Sequence, residues 1–81
     1  MKLPRDLSGE ELARSLRKYG YAITRQTGSH MRLRSTTKGA EHQITIPAHK
    51  QLKVGTLAAI LSDVARYLEI AREDLARTLF E

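Results

Sequence analysis

Apolar positions along the chain change their period twice. In "LSGEELARSLRKYG", residues 7–20, Leu12 and Leu16 stand four apart with Tyr19 at the next spacing, which sets them on one face of a helix. Ser8 opens this stretch and Glu11 follows three residues later as a capping box, while Leu7 can clasp Leu12 as a hydrophobic staple. Gly20 is a natural left-handed stop. The pattern predicts a helix from about Gly9 to Lys18.

After Gly20 the period becomes that of strands. "YAITRQ", residues 21–26, is rich in β-branched and aromatic residues, and "TGS" then supplies a turn. In "HMRLRS", residues 30–35, Met31 and Leu33 point to one side and His30, Arg32 and Arg34 to the other. A second turn, "TTKGA", forms around Gly39. In "EHQITIP", residues 41–47, Ile44 and Ile46 share one face and Gln43 and Thr45 the opposite one, until Pro47 ends the pairing. An antiparallel meander results, with one apolar face and one wet, basic face carrying His30, Arg32, Arg34, Gln43 and Thr45.

The apolar face needs a cover, and "GTLAAILSDVARYL", residues 55–68, supplies it through Leu57, Ile60, Leu61, Val64 and Leu68 at helical spacing. A break near Glu69 to Ala71 precedes a short amphipathic segment, Arg72 to Phe80, carrying Leu75, Leu79 and Phe80. The fold class is α+β: α-β-β-β-α, a three-stranded antiparallel sheet with helices on one face and a short C-terminal helix. Eighty-one residues form one domain, with a core at about 7–68 and a helical extension at 69–81.

Charge sharpens this picture. The net charge is +5 and the pI near 10.0, which points to an anionic partner. Residues 1–55 hold eleven Lys or Arg against four Asp or Glu, a local net of +7, whereas residues 56–81 hold three against five, a local net of −2. The positive field therefore belongs to the part of the chain that contains His30. With no cysteine, disulfides and thiolate metal sites are excluded, which fits a reducing compartment. "MKLPRDLSGEE" has no apolar run of signal-peptide length, and no stretch approaches a membrane span. The expectation is a cytoplasmic protein that does not engage membranes.

The candidate chemistry lies in "RQTGSHMRLRS", residues 25–35. A histidine titrates near neutrality, so His30 could take a proton from a ribose 2′-hydroxyl while neighbouring guanidinium groups hold the phosphate. Gly28 permits a tight turn or a close approach to a ligand, and Ser29 can hydrogen-bond a phosphate or serve the turn. From the residues alone, an exposed strand-end histidine is the simpler reading of His30 and ranks ahead of the catalytic one. His42 and His49 are seven apart, without cysteine and with few acids nearby, so no metal or other cofactor is expected. His42 reads as solvated or partly packed. His49 and Lys50, on the loop "PAHKQLKVG", can contact a phosphate or merely belong to the loop. No GxSxG, no Walker loop and no carboxylate pair is present, and no aromatic sits between the basic residues of the second strand to stack bases.

The order "ELARSLRKYGYAITRQTGSHMRLR" followed by "ITIPAHKQLKVGTLAAIL" resembles the HicA-type mRNA interferase toxins (YcfA/HicA family) of bacterial and archaeal toxin–antitoxin pairs, over roughly Glu11 to Leu61. Gly28, Ser29 and His30 carry the resemblance, with Pro47, His49, Leu52, Gly55, Thr56, Leu57, Ile60 and Leu61. Met31 departs from it, since many members place a second histidine or another polar residue there. The resemblance implies a double-stranded-RNA-binding-like fold, ribonuclease activity on mRNA with His30 as the catalytic residue, and a HicB-type antitoxin partner that covers the active face. Arg25, Arg32, Arg34 and Lys38 would then hold the phosphodiester. The alternative is a non-catalytic module that recognises A-form RNA with the same positive face. A DNA-binding domain ranks behind both, because no recognition helix carries the positive charge.

Overall fold

The computed structural model describes residues 3–81. Met1 and Lys2, which the single-domain reading includes, lie outside the described residues. The chain runs through α1 (Gly9–Ser15), a 3₁₀ turn (Leu16–Tyr19), β1 (Ala22–Thr27), β2 (His30–Ser35), β3 (His42–Pro47), α2 (Val54–Leu68) and α3 (Arg72–Phe80). The strands form an open antiparallel sheet in the order β1-β2-β3. This is the α-β-β-β-α order of the double-stranded-RNA-binding-like fold.

The capping box closes as the sequence requires. Glu11 N–H donates to Ser8 Oγ at 3.0 Å, and Ser8 N–H donates to Glu11 Oε1 at 3.0 Å. These bonds favour the charged carboxylate, so the Glu11 pKa is lowered, first by the Ser8 backbone N–H and then by its side chain. The helix predicted to reach Lys18 is α-helical only to Ser15 and then tightens into the 3₁₀ turn. That tighter winding feeds Gly20, whose φ of 82° swings the chain directly toward the sheet. Tyr21, read as the first strand residue, precedes β1 and is almost wholly buried. An aromatic drawn into the core so near the turn delays the ladder to Ala22.

Alternation places Met31 and Leu33 of β2 and Ile44 and Ile46 of β3 on the inner face, all buried. Leu12 and Leu16 join Leu57, Leu61, Val64 and Leu68 of α2 in the same core, and Leu75 and Leu79 of α3 extend it. Each such buried aliphatic side chain contributes on the order of 1.5–3 kcal/mol. Every residue of β1, by contrast, is exposed, and Ile23, paired with the fully buried Leu33, stays half-exposed. The helical layer thus covers β2 and β3 and stops short of β1.

Gly9 sets the distance between α1 and the loop that follows β3. A Cβ there would overlap the Pro47 carbonyl oxygen, and the Gly9 N–H donates to the His49 carbonyl at 3.0 Å. The same loop is tied to the β1–β2 turn, where Ala48 N–H donates to the Ser29 carbonyl at 2.6 Å. Turn, loop and the start of α1 are therefore held as one corner of the molecule.

Candidate nucleic-acid interface

The β1–β2 hairpin turns through Gly28 and Ser29, with Thr27 paired to His30. Gly28 has φ 55° and Ser29 does not share its positive φ, the pattern of a turn that needs glycine at its first central position. Space around Gly28 is open, so its role is conformational and not one of packing. The tight turn delivers His30 at the first position of β2, exposed on the wet face.

A cleft of about 130 Å³ lies there, lined by Arg25, Thr27, His30, Arg32 and Thr45. Three strands contribute to it. Register explains the grouping, because Arg32 pairs with Arg25 across β1 and with Thr45 across β3, and His30 pairs with Thr27. Thr24 is the extra residue of an irregularity between Ile23 and Arg25, and its hydroxyl donates to the Arg32 carbonyl at 3.3 Å. That extra residue brings Arg25 onto the same face as Arg32. Neither Arg25 nor Arg32 forms an ion pair among the described residues. Two guanidinium groups without a carboxylate beside a solvent-facing imidazole suit a phosphodiester.

The remaining candidates spread outward from this cleft. Arg34 sits on the same face toward the other end of β2, where Glu41 accepts from it at 3.3 Å and also from Gln43 at 2.6 Å. Lys38 lies in the β2–β3 turn at the opposite end of the strands from His30, and its ammonium is 3.4 Å from Glu69. The structure does not bring Lys38 to the cleft. His49 and Lys50 are exposed on the loop whose neighbour, Ala48, is bonded to Ser29, so this basic loop stands beside the hairpin turn.

A second titratable cluster lies on the other face. His42 Nε2 is 3.2 Å from Asp63 Oδ1, and His42 Nδ1 is 2.6 Å from the Tyr21 hydroxyl. The carboxylate can only accept, so Nε2 carries the hydrogen, and in that tautomer Nδ1 accepts from the Tyr21 hydroxyl. The imidazole stacks on Tyr67 at 4.7 Å, and the Tyr67 hydroxyl accepts from Lys38 N–H at 3.0 Å and donates to the Ala40 carbonyl. Hydroxyl, imidazole and carboxylate in this order imitate a nucleophilic triad. The resemblance is superficial, because Tyr21 is 1% exposed and burial pushes its phenol well above the ordinary 10.0. The cluster instead closes the far end of the core. Sequence reasoning left His42 as solvated or partly packed, and its side chain is 18% exposed. Alternation already pointed inward, since His42, Ile44 and Ile46 share a face.

Among the described residues no three His, Asp or Glu side chains gather as a metal donor set, and no helix is long and apolar enough to cross a membrane. The family model described as "HicA toxin of bacterial toxin-antitoxin" matches residues 9–65. No curated protein and no solved structure matches the chain. The match spans more than half of the sequence and includes α1, the whole sheet and most of α2, and the chain belongs to the HicA toxin family.

Proposed function

We propose that this chain, the toxin of a toxin–antitoxin pair of a kind that generally cleaves mRNA and has an antitoxin as partner, is a metal-independent endoribonuclease in which His30 is the general base. The observation that carries the reading is the cleft in which His30 shares a face with Arg25 and Arg32. The imidazole removes the proton of a ribose 2′-hydroxyl, the freed oxygen attacks the adjacent phosphorus, and the bond to the 5′ oxygen breaks. The guanidinium groups of Arg25 and Arg32 offset charge growing on the non-bridging oxygens. The departing 5′ oxygen takes its proton from water, His49 or a lysine of the neighbouring loop. Arg34, Lys38, Gly28, Ser29, His49 and Lys50 extend contacts to the flanking RNA. A HicB-type antitoxin silences the toxin in the cytoplasm by covering this face.

Purified chain incubated with a long single-stranded RNA in EDTA tests the mechanism. The expected result is cleavage that persists in the chelator and leaves 2′,3′-cyclic phosphate and 5′-hydroxyl ends. Products with 5′-phosphate ends, or cleavage abolished by EDTA and restored by a divalent ion, would overturn it. A chain that binds duplex RNA and never cuts would favour the non-catalytic module, which uses the same positive face.

A further inference from the structure

Both outer strands of the open sheet lack a neighbour among the described residues, yet the two edges differ. β1 is interrupted at Thr24, and an irregular edge is a poor template for another strand. β3 pairs with β2 in unbroken register from His42 to Pro47, so its outer edge presents regularly spaced, unpaired backbone groups. Proline occurs only at its last residue, and no lysine guards it. Beside this edge runs a groove of about 410 Å³, lined by Gln43, Ile44 and Thr45 of β3, Ala59, Ile60 and Asp63 of α2, and Arg32. A regular strand edge flanked by a helix is the arrangement that receives an added strand.

We propose that this groove is where the antitoxin docks, by adding an extended segment with alternating acidic and apolar side chains to the free edge of β3. The proposal rests on the toxin reading above. Charge complementarity selects the occupant. Side chains of an added strand that point to the wet face meet Arg32, which has no acidic partner among the described residues, whereas those on the helix side meet Ala59 and the nearly buried Ile44 and Ile60. Asp63, the one acid in the groove, is already engaged by His42. A second copy fits poorly, because pairing β3 with β3 would join two chains of net charge +5 along their basic sheet faces.

The location also makes docking inhibitory. Arg32 and Thr45 line both this groove and the His30 cleft. Acidic side chains seated over Arg32 neutralise a phosphate-holding group and occupy the rim of the cleft, so the added strand silences the toxin without entering the cleft.

The test uses the chain co-expressed with the product of the reading frame adjoining its own, and amide exchange in the free chain and in the complex. Alternate amides of β3 between Gln43 and Ile46 should exchange freely in the free chain and slow at least about tenfold in the complex, while those at the irregularity in β1 do not change. Ala59 is exposed, so Ala59→Trp fills the groove without disturbing the core. This variant should unfold at the parental temperature, cut RNA at the parental rate, and bind the partner about tenfold to a hundredfold more weakly. Protection confined to β1, full-strength binding by Ala59→Trp, or failure of the two products to associate would overturn the proposal. Concentration-dependent protection of β3 without a partner would overturn it in favour of a second copy. An inert chain whose β3 edge is nonetheless protected would remove the nuclease and leave the docking edge, so the two readings fail separately.

Discussion

His30 and His42 show how position decides what the same side chain does. His30 stands at the mouth of β2, exposed beside the guanidinium groups of Arg25 and Arg32, and its removal takes nothing from the core. His30→Ala should therefore unfold at the parental temperature and cut RNA about a hundredfold to ten-thousandfold more slowly, the usual worth of a positioned acid or base. A folded variant that cuts at the parental rate would remove His30 from the mechanism. His42 has both ring nitrogens engaged and belongs to stability, through Tyr21. Burial raises the Tyr21 pKa above its ordinary 10.0, so the folded chain keeps the phenol protonated where the unfolded chain begins to lose it. The stability that Tyr21 contributes is then fully present below about pH 10 and declines as pH rises beyond that, because the unfolded chain ionises first. Tyr21→Phe, which leaves Nδ1 without a donor, should cost about 1–2 kcal/mol near neutrality. Chemical denaturation across pH should show the gap between parent and variant narrowing above pH 10, and a gap that widened there would refute the assignment. The GSH turn and the outward arginines of β2 were legible because alternation and a glycine are local. Asp63 and Tyr67 were not, since their meeting with His42 depends on how α2 crosses the sheet.

Elements end where the chain must change direction, and two endings here illustrate what composition conceals. Gly20 was readable as a stop because glycine adopts positive φ freely, and its φ is 82°. α2 ends in the same way at a residue that offers no such cue. Glu69 has φ 60°, its N–H bonds to the Arg66 carbonyl, and Ile70 N–H bonds to the Ala65 carbonyl, which together form a Schellman closure. Only the loss of apolar period placed a break near Glu69 in the sequence; its left-handed form depends on the docking of α3, whose Leu75 and Leu79 are buried. Holding a glutamate in that region costs about 1 kcal/mol, and its exposed ion pair with Lys38 returns little. Glu69→Gly should accordingly stabilise the fold by roughly 0.5–1 kcal/mol, visible as a higher denaturation midpoint with an unchanged slope. A lower midpoint would mean that the Lys38 contact outweighs the backbone strain. Strand limits were legible to within one residue, because inner and outer residues alternate cleanly through β2 and β3. The bareness of β1 was not legible, since nothing in "AITRQT" says that the helices stop short of it.

At the scale of the whole molecule, the sheet is the basic element: its three strands carry Arg25, Arg32 and Arg34 and no Asp or Glu, whereas residues 56–81, most of α2 and all of α3, have a local net of −2. The field is therefore directed, and a polyanion meets the wet face of the sheet first. Binding there should be governed by counterion release. If two to four phosphates are held by Arg25, Arg32 and the His49–Lys50 loop, RNA affinity should fall about tenfold to a hundredfold between 50 and 200 mM salt. The arginines should not contribute equally. Arg32 lacks an acidic partner among the described residues and lines the cleft, so Arg32→Ala should lower the slope of log affinity against log salt by roughly one phosphate's share, about 0.7–0.9. Arg34 is held by Glu41, which must be displaced before the guanidinium reaches RNA, so Arg34→Ala should change the slope less. Titrations of a fixed RNA at several salt concentrations check both. Affinity that is flat in salt would remove the electrostatic account of the face, and equal slopes for the two variants would mean that Glu41 does not restrain Arg34 in solution.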